Sequence, residues 1–216
     1  MVKLSPSALK LLDDCPRCFW LAHNKKIRRP EGIFPSLPSG MDKILKAHFD
    51  AFRAQGKVPP EIKELGAKLF DDEALLKVWT NNFKGIGWTD EQGNVLRGAM
   101  DEVLAKDGKL IVLDFKTRGY PLKEDTADLY QSQLDIYNFL LRKNGYKTDD
   151  HGYLLFYYPE AVDATGHVKF HAELVKMSIS VKNAEKLWKD ALACLAGAMP
   201  KASTTCAYCA WQKAAT

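Results

Sequence analysis

No apolar run in this chain approaches the roughly 20 residues that a helix needs to cross a bilayer, so no membrane-spanning segment is expected. The opening residues, Met1 to Ser7, lack the apolar stretch and small-residue cleavage site of a signal peptide. These two absences set the expectation of a cytoplasmic protein with no membrane partner. Internal repeats and low-complexity tracts are missing as well, which leaves out repeat architectures. Neither sign of charge prevails. The 31 Lys and Arg against 27 Asp and Glu leave a formal net charge of +4, compatible with a polyanionic partner but no proof of one. Cysteine is scarce, five in 216 residues, yet four of the five fall into two CxxC pairs, one near each end of the sequence.

What is present has the balance of an ordinary globular domain. Hydrophobic residues make up 46% and charged residues 27%, enough for one sizeable core with a small helical addition. Ser5-Pro6 reads as an N-cap followed by proline at the first helical position, which predicts a helix over residues 6–14 with Leu11 and Leu12 inward. Residues 30–40, with three prolines and two glycines, read as an ordered loop or linker. A second helix is predicted over residues 41–54. Its apolar stripe holds Met41, Ile44, Leu45, Phe49 and Phe52, and His48 falls on the same stripe. A further helical region covers residues 61–80.

From residue 95 the hydrophobic period changes. Strands over 95–105 and 109–117, joined by Lys106-Asp107-Gly108, carry a hairpin signal. A helix over 126–143 follows, then strands over 153–158 and 167–177 around a turn at 163–166, and a last helix over 182–198. The predicted fold class is α/β, a mixed central sheet flanked by helices. Residues 1–216 form a single domain: 1–94 mainly helical, 95–198 a β-β-α-β-β-α core, and 199–216 a cysteine tail packing on the N-terminal CxxC.

Asp114 and Lys116 close the apolar run Leu110-Ile111-Val112-Leu113. Residues two apart on a strand share a face, so this carboxylate and this amine project together, opposite Leu113 and Phe115. Charge beside such a core is costly unless it is paired, bound to metal or opened to a cleft. Asp101 lies across the hairpin, after Gly98-Ala99-Met100. Two aspartates on adjacent strands can hold a hard divalent cation, and a neighbouring lysine can stabilise developing negative charge, which is what phosphodiester hydrolysis requires. A surface Asp–Lys pair at a strand end is the plainer alternative. Gln133 and Tyr137 share one helical face with Tyr130, Leu134 and Leu141, and a glutamine in an apolar stripe calls for a buried polar partner. Within this set His48 becomes a third metal ligand, against the plainer reading of a core histidine.

Lys25, Lys26, Arg28 and Arg29 crowd into five residues, either to touch phosphates or as a solvated loop. The pairs Cys15/Cys18 and Cys206/Cys209 offer four soft ligands, enough for tetrahedral Zn²⁺ or a four-iron cluster, and spacing alone slightly favours Zn²⁺. Such a site clamps the two ends of the sequence together, with Phe19, Trp20, Tyr208 and Trp211 around it. Cys194 reads as a small buried apolar residue.

The order His48, Gly98-Ala99-Met100-Asp101, Asp114-Phe115-Lys116 and Gln133-Leu134-Asp135-Ile136-Tyr137 resembles the PD-(D/E)XK nuclease superfamily. It is most similar to the RecB-like branch and to the CRISPR-adaptation exonuclease that is the fourth Cas protein. The resemblance covers roughly residues 5–145 and the cysteine tail, and lies in the order and spacing of the motifs. It implies a restriction-endonuclease-like fold. It also implies Mg²⁺ or Mn²⁺ on His48, Asp101 and Asp114, a catalytic Lys116, and Gln133 and Tyr137 as the branch's additional motif. The implied substrate is DNA with single-stranded ends, cut by an exonuclease in CRISPR adaptation or DNA repair beside an integrase or helicase. A [4Fe-4S] cluster on the cysteines is implied too. Two departures stand out: the triplet's acid is Asp114 rather than Glu, and the cysteines divide two and two rather than one early and three late. Two other readings stay open, a nucleic-acid-binding subunit that keeps the fold without useful turnover, and a zinc-stapled interaction protein.

Overall fold

A computed structural model describes residues 1–214 of the chain. Strand β1 (Lys3–Leu4) and helices α1 (Pro6–Asp14) and α2 (Pro16–Trp20) come first, followed by a π-helical turn over Leu21–Lys25. Helix α3 (Ser36–Ala54) leads through a 3-10 turn (Pro60–Leu65) to strand β2 (Lys68–Leu69) and helix α4 (Glu73–Trp79). Strands β3 (Ile86–Thr89), β4 (Val95–Gly98), β5 (Glu102–Lys106) and β6 (Lys109–Thr117) follow. A 3-10 turn (Ala127–Tyr130) runs into helix α5 (Gln131–Lys143), and then come β7 (His151–Val162), β8 (Val168–Ser178), α6 (Val181–Ala196) and α7 (Ala207–Ala214).

The main sheet has the order β2-β5-β6-β7-β8, and a smaller one the order β1-β4-β3. Both are mixed: β6 pairs with β7 in parallel and β1 with β4 in parallel, while the remaining pairs are antiparallel. A parallel pair needs a long crossover, and α5 supplies it. The β5–β6 hairpin turns at Asp107 and Gly108, with φ of 49° and 73°. Left-handed backbone at both central residues matches the right-handed twist of the flanking strands.

Strand β6 is buried on both faces. Leu110 and Val112 pack with Leu134, Ile136, Leu154 and Phe156 under α5 and α6. Ile111, Leu113 and Phe115 pack with Leu45, Phe49, Leu155 and Tyr157 under α3. Each such side chain contributes about 1.5–3 kcal/mol by leaving water. Among the described residues, no helix is long and apolar enough to cross a membrane.

Several boundaries differ from the sequence-based expectation. The region 61–80 is not continuously helical, because Lys68–Leu69 pairs with β5 and caps the edge of the main sheet. Residues 1–94 thus carry three short strands beside their helices. Helix α3 begins at Ser36 and runs through Pro38, its third residue, where a helical N–H has no partner to lose. The expected single strand over 95–105 is two strands in two sheets. The chain leaves β4 at Gly98, buries Met100 completely and enters the main sheet at Glu102, so Asp101 sits in the break.

Candidate active site and cysteine centre

Asp114 projects from the α5 face of β6 and is 1% exposed. Its Oδ1 accepts a hydrogen bond from Gln133 Nε2 at 3.2 Å. The Lys116 ammonium pairs with its buried Oδ2. Asp101 comes alongside from the β4–β5 break. Its Oδ2 accepts the Phe115 backbone N–H at 2.9 Å, which ties it to the strand between Asp114 and Lys116.

Gln133 organises the cluster. Its Oε1 accepts the Lys116 ammonium at 3.1 Å, and its Nε2 donates to Asp114 and to the Tyr137 hydroxyl at 3.0 Å. The glutamine expected to need a buried partner has three. Lys116 Nζ also lies 4.6 Å from the centre of the Tyr130 ring. Tyr137 fits because residue 98 is glycine: a Cβ there would stand 2.8 Å from Tyr137 Cε1 and 3.1 Å from Pro6.

Burial, and secondarily the negative charge of Asp101, push the Asp114 carboxyl up to about 7 against the pull of Lys116. Burial and the Asp114 charge likewise raise Tyr137, which stays protonated. Two carboxylates side by side, one of them buried, offer the oxygen donors that a hard cation takes. These residues fit Mg²⁺ or Mn²⁺.

His48 does not join them. It lies on α3, on the sheet face opposite Asp114. Its Nε2 meets the Glu61 carboxylate at 3.1 Å, and Tyr157 donates to Glu61 at 2.7 Å. The apolar stripe that carries His48 packs on Phe115 through Phe49, at 4.9 Å between ring centres, and that packing turns the imidazole away from the aspartates. Lys46 of the same helix reaches Asp101 instead, at 3.1 Å, and shares its ammonium with Asp42 at 2.9 Å. Sequence reasoning missed Asp42 and Lys46. The available signal was their spacing, since 42, 46 and 53 interleave with Leu45 and Phe49 and so place ionisable groups along a buried helix face.

The cysteines gather as expected. All four Sγ atoms of Cys15, Cys18, Cys206 and Cys209 lie within 4.8 Å of one another, and the four side chains are buried. Three contacts, Cys15–Cys209, Cys18–Cys206 and Cys18–Cys209, measure 3.7 Å. Burial works against ionisation at Cys15, but backbone N–H groups of Cys18 and Ser203 aim at its sulfur and bring it down to about 6. Among the described residues this is the one set of three or more such ligands close enough to hold an ion, and it can bind a metal.

The basic cluster divides. Lys25, Lys26 and Arg28 are exposed. Arg29 turns inward, donating to Cys206 Sγ at 3.5 Å and lying 4.6 Å from the Tyr208 ring centre, so it serves the cysteine centre. A larger feature had no sequence signal. A groove of about 1030 Å³ runs past Lys3, Lys10 and Arg97 to Tyr130, Gln133 and Tyr137. It forms only when β1, β4 and α5 come together.

A family model described as PD-(D/E)XK nuclease superfamily matches residues 40–214. Among curated proteins, none matches this chain. Among solved structures, "Crystal structure of SSO0001" is 17% identical, with a TM-score of 0.46 over 88% of this chain and 75% of that one.

Proposed function

The chain belongs to the PD-(D/E)XK nuclease superfamily and has the restriction-endonuclease-like core of its fold class. From that premise we propose that it is a Mg²⁺- or Mn²⁺-dependent nuclease hydrolysing DNA phosphodiester bonds, with single-stranded ends as its substrate. The convergence of Asp114 and Lys116 on the Gln133 amide, with Asp101 tied to the same strand through the Phe115 N–H, carries this reading. Asp101 and Asp114 would hold the metal, which would supply charge neutralisation and Lewis-acid polarisation at the scissile phosphate. Lys116, oriented by Gln133 Oε1, places a protonated amine where negative charge develops on the phosphate oxygens. Gln133 keeps that amine and the Asp114 carboxylate in register, and the protonated Tyr137 hydroxyl accepts from the same Nε2 that donates to Asp114.

The groove supports a single strand as substrate. It combines the basic side chains Lys3, Lys10 and Arg97 with the aromatic Tyr130, and it ends on Gln133 and Tyr137 of the catalytic cluster. An exonuclease trimming such ends, beside an integrase or helicase in CRISPR adaptation or repair, is the role that this reading extends to.

For the cysteine centre, the 3.7 Å sulfur contacts favour one Zn²⁺ over a four-iron cluster. Four ligands at about 2.3 Å around a single tetrahedral ion stand about 3.8 Å apart, whereas a cube of iron and sulfide holds its thiolates farther away.

The test is cleavage of end-labelled single-stranded, double-stranded and circular DNA in Mg²⁺ or Mn²⁺. Wild type should degrade linear single strands and spare circles, and Asp114→Ala and Lys116→Ala should be inactive. Cleavage unchanged in either variant rules the assignment out. Metal analysis should find one Zn per chain, and absorbance near about 400 nm in anaerobically prepared protein would assign the cluster instead.

A further inference from the structure

The basic cluster and the last helix meet beside the cysteine centre, and the catalytic cluster uses neither. A pocket of about 490 Å³ opens between them. One wall is Leu21 with residues 27–30, the other is Tyr208 and Trp211 of α7, and Cys18 and Cys209 lie where the two walls join. The Trp211 ring is 72% exposed and Tyr208 is 45% exposed. Arg29 stands 4.6 Å from the Tyr208 ring centre and holds that part of the wall in place. No carboxylate lines the pocket. Arg28 lines it, Lys25 and Lys26 precede it in the chain, and all three are exposed. Of the basic cluster, Arg29 alone forms an ion pair among the described residues, with Asp14 at 3.6 Å. The pocket also continues the groove that leads to Gln133 and Tyr137. His23 lines the groove, Leu21 lines the pocket, and both belong to one π-helical turn.

We propose that this pocket is a second contact for single-stranded nucleic acid, in which Trp211 and Tyr208 stack on bases and Arg28, with Lys25 and Lys26, takes the phosphates of the segment that leaves the groove past His23. The proposal rests on the single-strand reading of the groove and extends the path to the other side of the π-helical turn. Exposed rings beside unpaired cations, with no carboxylate among them, suit a strand of any sequence, because every base has a π-face and every linkage a negative charge. An acidic peptide answers the cations too, but continuity with the groove and the two open rings select the strand. Cys18 and Cys209 bring together walls that come from opposite ends of the sequence, so the cysteine centre shapes this contact as well as the fold.

The experiment is fluorescence-anisotropy titration of the full chain, its cysteine centre loaded, with a labelled oligothymidylate of about 15 nucleotides and no Mg²⁺ or Mn²⁺, so that nothing is cut. Trp211→Ala should weaken binding about five- to a hundredfold, and Trp211→Phe, which keeps a ring, less than about threefold. Arg28→Ala should lower the slope of log affinity against log salt by about 0.7, the share of one single-strand phosphate contact. An oligonucleotide carrying iodouracil should crosslink under ultraviolet light to the peptide that holds Tyr208 and Trp211. Metal content should be unchanged in each variant. Wild-type affinity in Trp211→Ala, equal losses in the alanine and phenylalanine variants, or crosslinks confined to the groove would overturn the assignment. So would polyglutamate bound more tightly than the oligonucleotide, which would give the pocket to an acidic protein segment. Binding that depends on Trp211 in a protein that cuts no DNA would refute the nuclease reading and leave this contact standing, and cleavage by a protein whose binding ignores Trp211 would do the reverse.

Discussion

Replacing Arg53 with methionine removes the cation from an ion pair that is almost without solvent. The Arg53 and Glu102 side chains are 6% and 3% exposed, and Arg53 Nη2 lies 2.6 Å from each Glu102 carboxylate oxygen. The guanidinium also donates through Nε to the Phe70 carbonyl at 3.0 Å. This pair fastens α3, with Asp42 and Lys46, to the residue that follows Asp101. In Arg53→Met the glutamate keeps only the Val103 backbone N–H, at 2.8 Å. An uncompensated buried charge costs about 3–5 kcal/mol, and a stranded carbonyl about 1 kcal/mol more. Methionine restores part of the apolar contact, which leaves a net loss of about 4 kcal/mol, or about 10 °C in Tm for a chain of this size. Glu102→Gln should behave differently. Burial raises the Glu102 carboxyl despite Arg53, so ionising it is costly in place. Glutamine keeps an oxygen for the guanidinium, and Arg53 retains Asp50 at 2.5 Å. The expected cost is below about 1.5 kcal/mol. Urea unfolding followed by circular dichroism at neutral pH reads both. Equal losses in the two variants, or an Arg53→Met within about 1 kcal/mol of wild type, would refute the reasoning.

Gly98→Ala should lower kcat several-fold with little change in KM and cost about 1–3 kcal/mol, because the new methyl displaces Tyr137 or Pro6; Tyr137→Phe should reproduce the kinetic loss alone, with Tm separating the two. Cys15→Ser should release the bound metal and lower stability by several kcal/mol, while Cys194→Ser, whose thiol lies outside the cluster, should leave metal content unchanged by elemental analysis. With Mg²⁺ and Mn²⁺ removed, stability should fall as pH rises. The Asp114 carboxyl is held at about 7 in the fold against an ordinary 3.8, so its contribution is complete below 3.8 and gone above about 7. Urea midpoints at several pH values should show this slope, and Asp114→Asn should flatten it.

The parts of the molecule legible in its sequence are those set by local period. The shared face of Asp114 and Lys116 was legible because alternation on a strand fixes which side a side chain takes, and the neighbours Leu113 and Phe115 do lie opposite. The common face of Gln133 and Tyr137 was legible for the same reason at helical spacing. The two CxxC pairs announced themselves because four matched thiols have few other uses. What stayed hidden depends on packing between distant segments. The stripe bearing His48 was visible, but a stripe does not say which face of the sheet it will cover, and α3 covers the face away from Asp114. Asp42 and Lys46 share a helix side with Leu45 and Phe49, but that spacing reads equally as an ordinary i,i+4 pair until Asp101 is brought to Lys46. The strand break before Asp101 was likewise unreadable, because either half of residues 95–105 alternates well enough to be a strand. Only the competition of two sheets for the chain separates them.

The position of the site follows from the same competition. Strand β6 runs in parallel with β7, so its C-terminal end must empty into a crossover, and the crossover helix begins beside the strand end it has just left. Gln133 sits in the first turn of that helix, and its amide reaches back to the strand end. Asp114 and Lys116 occupy the strand end, and Asp101 arrives because β4 hands the chain from one sheet to the other at this level. Two carboxylates, an ammonium and the amide that joins them are therefore delivered to one place by topology. The burial that lifts Asp114 opposes folding, and the Gln133 amide, the Lys116 ammonium and the Arg53–Glu102 pair hold the surrounding elements against that cost. A substitution that relieves the strain of the buried carboxylate should thus stabilise the fold by removing what the chemistry uses.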